Sequence, residues 1–298
     1  MKQTTKKTAL LFISLTLLLT SLIAGQNIFV PEMNTLETMN ISLVGRALGG
    51  TSYTHAVENN LCIVSSGNKV TIFDLSEIDL PIEIASIYIT GQIADILISD
   101  EMAYIAGSGV TAIDLSDPAH PDIVGTLPEI TSIQEIIINN SYLYTASSED
   151  GLTVVDISDP HDPRIIGSSE TTFAACGLDI IDNNLFITDY DHGFKIFDIT
   201  EPAAPVEINS YTSSFGYNFK VRIDSDRLYL NNMGGLMIFD ISDITNIEEI
   251  GSYNGIWGTD LVIADDMAFL SGIYNSVDII DISEPSNPLF ITSFTNDE

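Results

Sequence analysis

Gly151-Leu-Thr-Val-Val-Asp-Ile-Ser-Asp-Pro160 has near-copies along the whole chain. Its core is an apolar residue, then Asp, then Ile or Leu, then Ser or Thr. It returns centred on Asp74, Asp114, Asp156, Asp198, Asp240 and Asp281, with gaps of 40, 42, 42, 42 and 41 residues. A fixed period of this length marks one supersecondary unit stacked on copies of itself. The repeat fills most of the 298 residues, so one domain is expected rather than two.

Outward from its centre, each unit reads as four short strands. In the second unit the apolar runs are residues 94–98, 102–106, 110–115 and 122–127, with turn residues between them. Short, evenly spaced strands indicate an all-β fold rather than βαβ units. Four antiparallel strands in about 42 residues fit one blade of a β-propeller. The predicted fold is therefore a six-bladed β-propeller of four-stranded antiparallel blades, preceded by an N-terminal signal segment.

The turns agree with this reading. Asn59-Asn60, Asp100-Glu101, Asn139-Asn140, Asn183-Asn184, Asp226-Arg227 and Asp265-Asp266 fall between the first and second strands, and Asn and Asp tolerate the left-handed backbone of a tight hairpin. Pro118/Pro121, Pro160/Pro163, Pro202/Pro205 and Pro285/Pro288 follow the third strand, and in unit five Ile244 and Ile247 replace both prolines. The recurrent Asp is read as structural, its carboxylate accepting backbone N–H groups of the turn after it, rather than as one ligand per blade. The outer strand occurs seven times, so either residues 41–47 or residues 289–294 close the last blade.

The N-terminus carries Lys2, Lys6 and Lys7, then an uncharged apolar run from Thr8 to Ile23, then Ala24-Gly25. This is the plan of a secretory signal peptide over residues 1–25, with an uncleaved anchor as the alternative. Residues 26–40 read as a linker and 41–298 as the propeller. Export to the cell exterior or surface follows. The formal net charge is −32, from 42 acids and 10 bases. Such a surface repels nucleic acid and anionic lipid, leaving membrane contact only through an uncleaved N-terminal segment. Cys62 and Cys176 are too few and too far apart for a disulfide framework or a zinc site, and read as small buried apolar residues.

The repeat resembles the LVIVD family. The resemblance rests on Ile250-Gly-Ser-Tyr253, Ala94-Asp-Ile-Leu-Ile98, Phe186-Ile-Thr-Asp189 and Leu152-Thr-Val-Val-Asp-Ile-Ser-Asp-Pro160, and covers about residues 41–294. It implies a secreted or surface β-propeller and no single activity.

In a propeller the first strand of each blade lines the central channel. The residues opening that strand are His55, Asp95, Glu135, Asp179, Lys220 and Asp260, which would ring the channel mouth. Four of them, Asp95, Glu135, Asp179 and Asp260, are candidate ligands of Ca²⁺ or Mg²⁺, hard ions that prefer oxygen. The alternative is that they hydrate the channel or bond loop backbone. Tyr53, Phe173, Tyr190, His192, Tyr217, Trp257 and Tyr274 are expected on loops of the same face, where aromatic side chains anchor partners. There is no Gly-x-Ser-x-Gly elbow, His-Glu-x-x-His or phosphate loop. The expected function is a non-catalytic binding module meeting an extracellular protein or glycan. The alternative is a metal-dependent, lactonase-like hydrolase or lyase using the channel carboxylates.

Overall fold

The computed structural model describes residues 54–295, apart from 78–79, 149, 172–173, 214–215, 256–257 and 273–275. The expected signal segment, linker and strand at 41–47 lie outside the described residues. The described chain forms 24 strands and no helix, grouped into six four-stranded antiparallel sheets in strict chain order. Blade three is representative, with strands Ile133–Asn139, Tyr142–Ser147, Gly151–Asp156 and Arg164–Ser169. The second and third strands are almost wholly buried and the fourth is largely exposed, so each blade runs from a dry middle to a wet rim.

The first strands pack in sequence from blade one through blade six: His55–Glu58, Ile93–Ser99, Ile133–Asn139, Ala175–Ile181, Asn218–Asp224 and Gly258–Ala264. Asp260 of blade six acts electrostatically on His55 of blade one, so the first strands of the first and last blades lie near each other. Leu289–Thr295 pairs with Ser276–Asp281 and supplies the fourth strand of blade six, which resolves the choice between the two ends of the chain for that strand.

Alternating side chains fill the gaps between blades. Ile63, Val70 and Ile72 of blade one meet Ile96, Ala103 and Ile105 of blade two in one apolar cluster. Similar clusters join the later neighbours, with Phe186, Phe194 and Phe239 between blades four and five. Burying one such side chain contributes about 1.5–3 kcal/mol, so the blade interfaces hold the ring together.

The hairpin after each first strand turns on one residue with positive φ: Asn59, Asp100, Asn140, Asp182, Ser225 and Asp265, at 51–57°. In units three to five this corrects the expected turn pairs. The turn residues are 140–141, 182–183 and 225–226, because the strands end at Asn139, Ile181 and Asp224. Each recurrent Asp accepts the backbone N–H two residues on, at 2.8–2.9 Å, as in Asp74 to Ser76 and Asp198 to Thr200. The hydroxyl of that Ser or Thr and its backbone N–H together hold all six Asp groups below the usual carboxylate range.

Each fourth strand carries a register irregularity, and the residue there is Ala85, Gly125, Gly167, Asn209, Gly251 or Thr292. At the three glycines this position faces the proline loop of the next blade. A Cβ on Gly125 would meet Pro160 O at 2.1 Å, on Gly167 Pro202 O at 2.7 Å, and on Gly251 Pro285 O at 1.9 Å. In blade five Ile244 replaces the proline, and Asn209 of blade four donates its amide N–H to Ile244 O at 2.6 Å.

Candidate functional site

A bulge near the start of most first strands sets which residues share a level of the channel. Asp95, Glu135, Lys220 and Asp260 each stand opposite the fifth residue of the second strand, namely Ala106, Ala146, Asn231 and Ser271. Two predicted ring members depart from this level. Asp179 pairs with Phe186, two steps deeper, because it is the fifth residue of its strand where Asp95, Glu135, Lys220 and Asp260 are the third; in blade four the third residue is Gly177. It shares that deeper level with Arg222, which pairs with Tyr229. His55 pairs with Val64, one step off, and Thr54 occupies the ring position of blade one. The first-level ring therefore holds Thr54, Asp95, Glu135, Lys220 and Asp260, with Asp179 and Arg222 beneath it.

Three of the carboxylates, Asp95, Glu135 and Asp179, fasten their own blade to the next. Asp95 accepts the N–H groups of Ile96 at 2.9 Å and of Ile136 in blade three at 3.0 Å, and the Thr54 hydroxyl at 3.3 Å. Glu135 accepts the N–H of Leu178 in blade four at 2.8 Å. Asp179 accepts the N–H groups of Ile180 and of Ile223 in blade five, both at 2.8 Å. Asp260 accepts the N–H of Leu261 at 2.9 Å. Across the axis, Glu135 Oε1 meets Lys220 Nζ at 2.8 Å and Arg222 Nη2 at 2.7 Å, two blades away. The Arg222 guanidinium also stands 4.0 Å from Asp260.

Burial works to raise the Glu135 carboxyl, but Arg222 and Lys220 outweigh it and hold the group below its ordinary value. Asp95 has weaker compensation. Burial, with Glu135 nearby, pushes it up to about 6 against the pull of Lys220. Burial raises Asp179 too, and Arg222 only partly offsets this. The His55 imidazole is lowered by burial despite Asp260, which keeps it neutral near pH 7.

Because Asp95 is raised in the fold, its ionised form costs stability above about pH 6, and that cost fades as pH falls toward the ordinary range. The six depressed turn aspartates act oppositely, and their stabilisation is lost as pH falls below the ordinary range. Asp179, also raised, adds to the Asp95 effect, whereas His55, lowered in the fold, loses stability as pH falls below its ordinary value. From about pH 7.5 to about pH 5 the melting temperature of Asp95→Asn should therefore rise less, or fall more, than that of the wild type, and both should fall in stronger acid. Identical profiles would show that Asp95 carries none of the change.

Among the described residues, no three His, Cys, Asp or Glu side chains come together as a metal site requires. The expected Ca²⁺ or Mg²⁺ ligands do not fit that role. Their oxygens take backbone N–H groups, and the counter-charge comes from Arg222 and Lys220. Sequence reasoning missed Arg222, although it follows Lys220 by two residues and so faces the channel with it.

Above this network a cavity of about 450 Å³ opens at the mouth. Gln134 and Ser148 of blade three, Ala174, Cys176 and Tyr190 of blade four, Phe219 and Lys220 of blade five, and Thr259 of blade six wall it. Cys176 is therefore a partly exposed wall residue, contrary to expectation, while Cys62 is buried. Burial pushes the Cys176 thiol up to about 11, so it is a poor nucleophile. Tyr190 is held edge-on by Tyr217 at 4.8 Å and by Phe219 at 5.7 Å. Tyr217 is 42% exposed at φ 63°, an unusual backbone for a bulky residue. His192 is exposed and bonds buried Asp189 at 3.1 Å. Tyr190, His192 and Tyr217 thus lie together at the mouth, whereas Tyr53, Phe173, Trp257 and Tyr274 lie outside the described residues.

Solved structures resemble this fold at low sequence identity. A protein from Lactobacillus plantarum matches with a TM-score of 0.72 at 10% identity, over 84% of this chain and 86% of that one. A candidate 6-phosphogluconolactonase from Bacteroides fragilis matches with a TM-score of 0.74 at 10% identity, over 85% and 86%. A computationally designed protein, Ika8, matches with a TM-score of 0.57 at 9% identity, over 83% and 87%. At such identities the likeness is one of fold. No curated protein matches the chain in sequence. The family model described as the LVIVD repeat matches residues 90–127, 132–171, 174–213, 220–255 and 258–296. Blades two to six each carry that repeat, and the chain belongs to the LVIVD repeat family.

Proposed function

We propose that the protein is an exported, non-catalytic binding module whose channel-mouth face meets an extracellular protein or glycan. One observation carries this reading. The acids of the channel hold blades together and pair with Lys220 and Arg222, while the cavity above them is walled mainly by uncharged polar and aromatic side chains. Rigid aromatic groups over a concave, mostly uncharged wall favour binding over proton transfer or metal chemistry. The basic, apolar N-terminus and the acidic composition support export.

The test is capture of an extracellular ligand by the immobilised chain, compared with the Tyr190→Ala and Tyr217→Ala variants. Each loss is expected to weaken capture about tenfold or more, as truncated aromatic anchors do. Equal capture by all three would remove the mouth from the binding site. Recovery of the native protein only from the cytoplasm would remove export.

The fold likeness to a candidate 6-phosphogluconolactonase favours a second reading, a lactone hydrolase. The strongly negative chain disfavours a phosphorylated substrate. Turnover of such a lactone, lost in Asp260→Asn, would overturn the non-catalytic reading.

A further inference from the structure

We infer that the cavity at the channel mouth takes an uncharged sugar ring. This rests on the binding-module reading and names the class of ligand for that same site.

The charge at the mouth argues first. Lys220 is the one charged residue in the described cavity wall. Glu135 stands 2.8 Å from its ammonium group, and Asp260 and Asp95 also act on it. Four carboxylates and two basic groups share the first two levels of the channel, so the field at the mouth is negative and disfavours an anion. A cation entering the cavity would meet the Lys220 ammonium directly. A neutral ligand avoids both conflicts, and Lys220 can donate hydrogen bonds to it while its own charge stays balanced.

The chemistry of the wall argues second. Gln134, one amide N–H of which goes to Ser132 O, keeps a second donor and its acceptor, the Ser148 hydroxyl can donate and accept, and the Thr259 hydroxyl, bonded to Ser271, can still accept. Sugar hydroxyls likewise donate and accept. Tyr190 and Phe219 supply an apolar wall against which the C–H face of a pyranose can lie, and Tyr217 braces Tyr190. A volume of about 450 Å³ lies within the range of small-molecule sites.

Cys176 lines the cavity while Cys62 is buried, and although burial holds the Cys176 thiol up to about 11, slow alkylation at about pH 9, where some thiolate forms, makes it a reporter. The full chain is incubated with iodoacetamide alone or with a panel of neutral methyl glycosides and oligosaccharides. Glucuronic acid and glucosamine are the charged comparisons. Alkylation of Cys176 is read by mass spectrometry, and binding by calorimetry. At least one neutral sugar is expected to slow alkylation of Cys176 fivefold or more. Its affinity should drop tenfold or more in Tyr190→Ala, and measurably in Ser148→Ala, with melting temperatures unchanged in both. Protection only by the acid or the amine would overturn the neutral-sugar assignment. Failure of every sugar, with a protein partner still captured through Tyr217, would overturn it and leave the binding-module reading standing. Failure of every sugar and of every partner would sink both.

Discussion

Replacing Glu135 by Ala is expected to lower stability by about 3–5 kcal/mol, the range for removing one partner of a buried ion pair. Three groups depend on this side chain: the Leu178 N–H, the Lys220 ammonium and the Arg222 guanidinium. Glu135 itself is 6% exposed. Lys220 and Arg222 keep 18% and 28% side-chain exposure, so water can recover part of their solvation and the loss should fall toward the low end. For a domain of this size such a loss is roughly 6–12 °C in melting temperature. Glu135→Gln tests the cause. It can still accept from Leu178 but leaves both cations without their nearest counter-charge, so it should recover only a part. Adding Lys220→Met to Glu135→Gln removes one stranded cation and should raise stability above that of Glu135→Gln alone. The checks are urea unfolding and thermal melts of the four proteins. A loss under about 1 kcal/mol in Glu135→Ala would mean the cross-axis pairs are a solvated surface network.

The fold was legible because its signals are local. The 42-residue spacing, the Asp-x-Ser turns and the alternating strands are written within each unit, and the recurrent Asp does make the turn bond its position implies. The channel was legible only in part. Its inward residues could be named, but not their heights, because a height depends on where the strand begins and how it pairs with the next one. Asp179 is the fifth residue of its strand and not the third, which puts it two steps deeper, beside Arg222, and one residue of offset puts Thr54 where His55 was expected. The expected cation site failed for the same reason. Backbone N–H groups of the next blade arrive from about 42 residues away, and nothing local announces them. The two bases that supply counter-charge were both readable. Lys220 was placed on the ring, and the period-two spacing to Arg222 was the unread clue.

The outer-strand glycines give the second large expected effect. Gly251→Ala should cost about 2–3 kcal/mol, the upper part of the range for overpacking a close contact. The cause is space and not backbone conformation, since Gly251 is not among the positive-φ residues. A Cβ there would sit 1.9 Å from Pro285 O and 2.9 Å from Pro285 C. Both are backbone atoms of a loop stiffened by proline, so neither can swing aside as a side chain tip would. Relief requires blade six to move away from blade five along the rim, which opens part of their shared apolar cluster. Asn209, at the matching position of blade four, shows the alternative solution. The facing loop carries Ile244 in place of proline, and its carbonyl accepts the Asn209 amide at 2.6 Å. Asn209→Gly should therefore cost only about 1 kcal/mol, the value of one hydrogen bond. Placing Asn at Gly251 should be worse than placing Ala there, because the loop it faces has no room for either. Thermal melts of Gly251→Ala, Gly251→Asn and Asn209→Gly would decide it. If Gly251→Asn were as stable as the wild type, the proline loop would be soft, and the glycine would owe its place to something other than the close approach of the next blade.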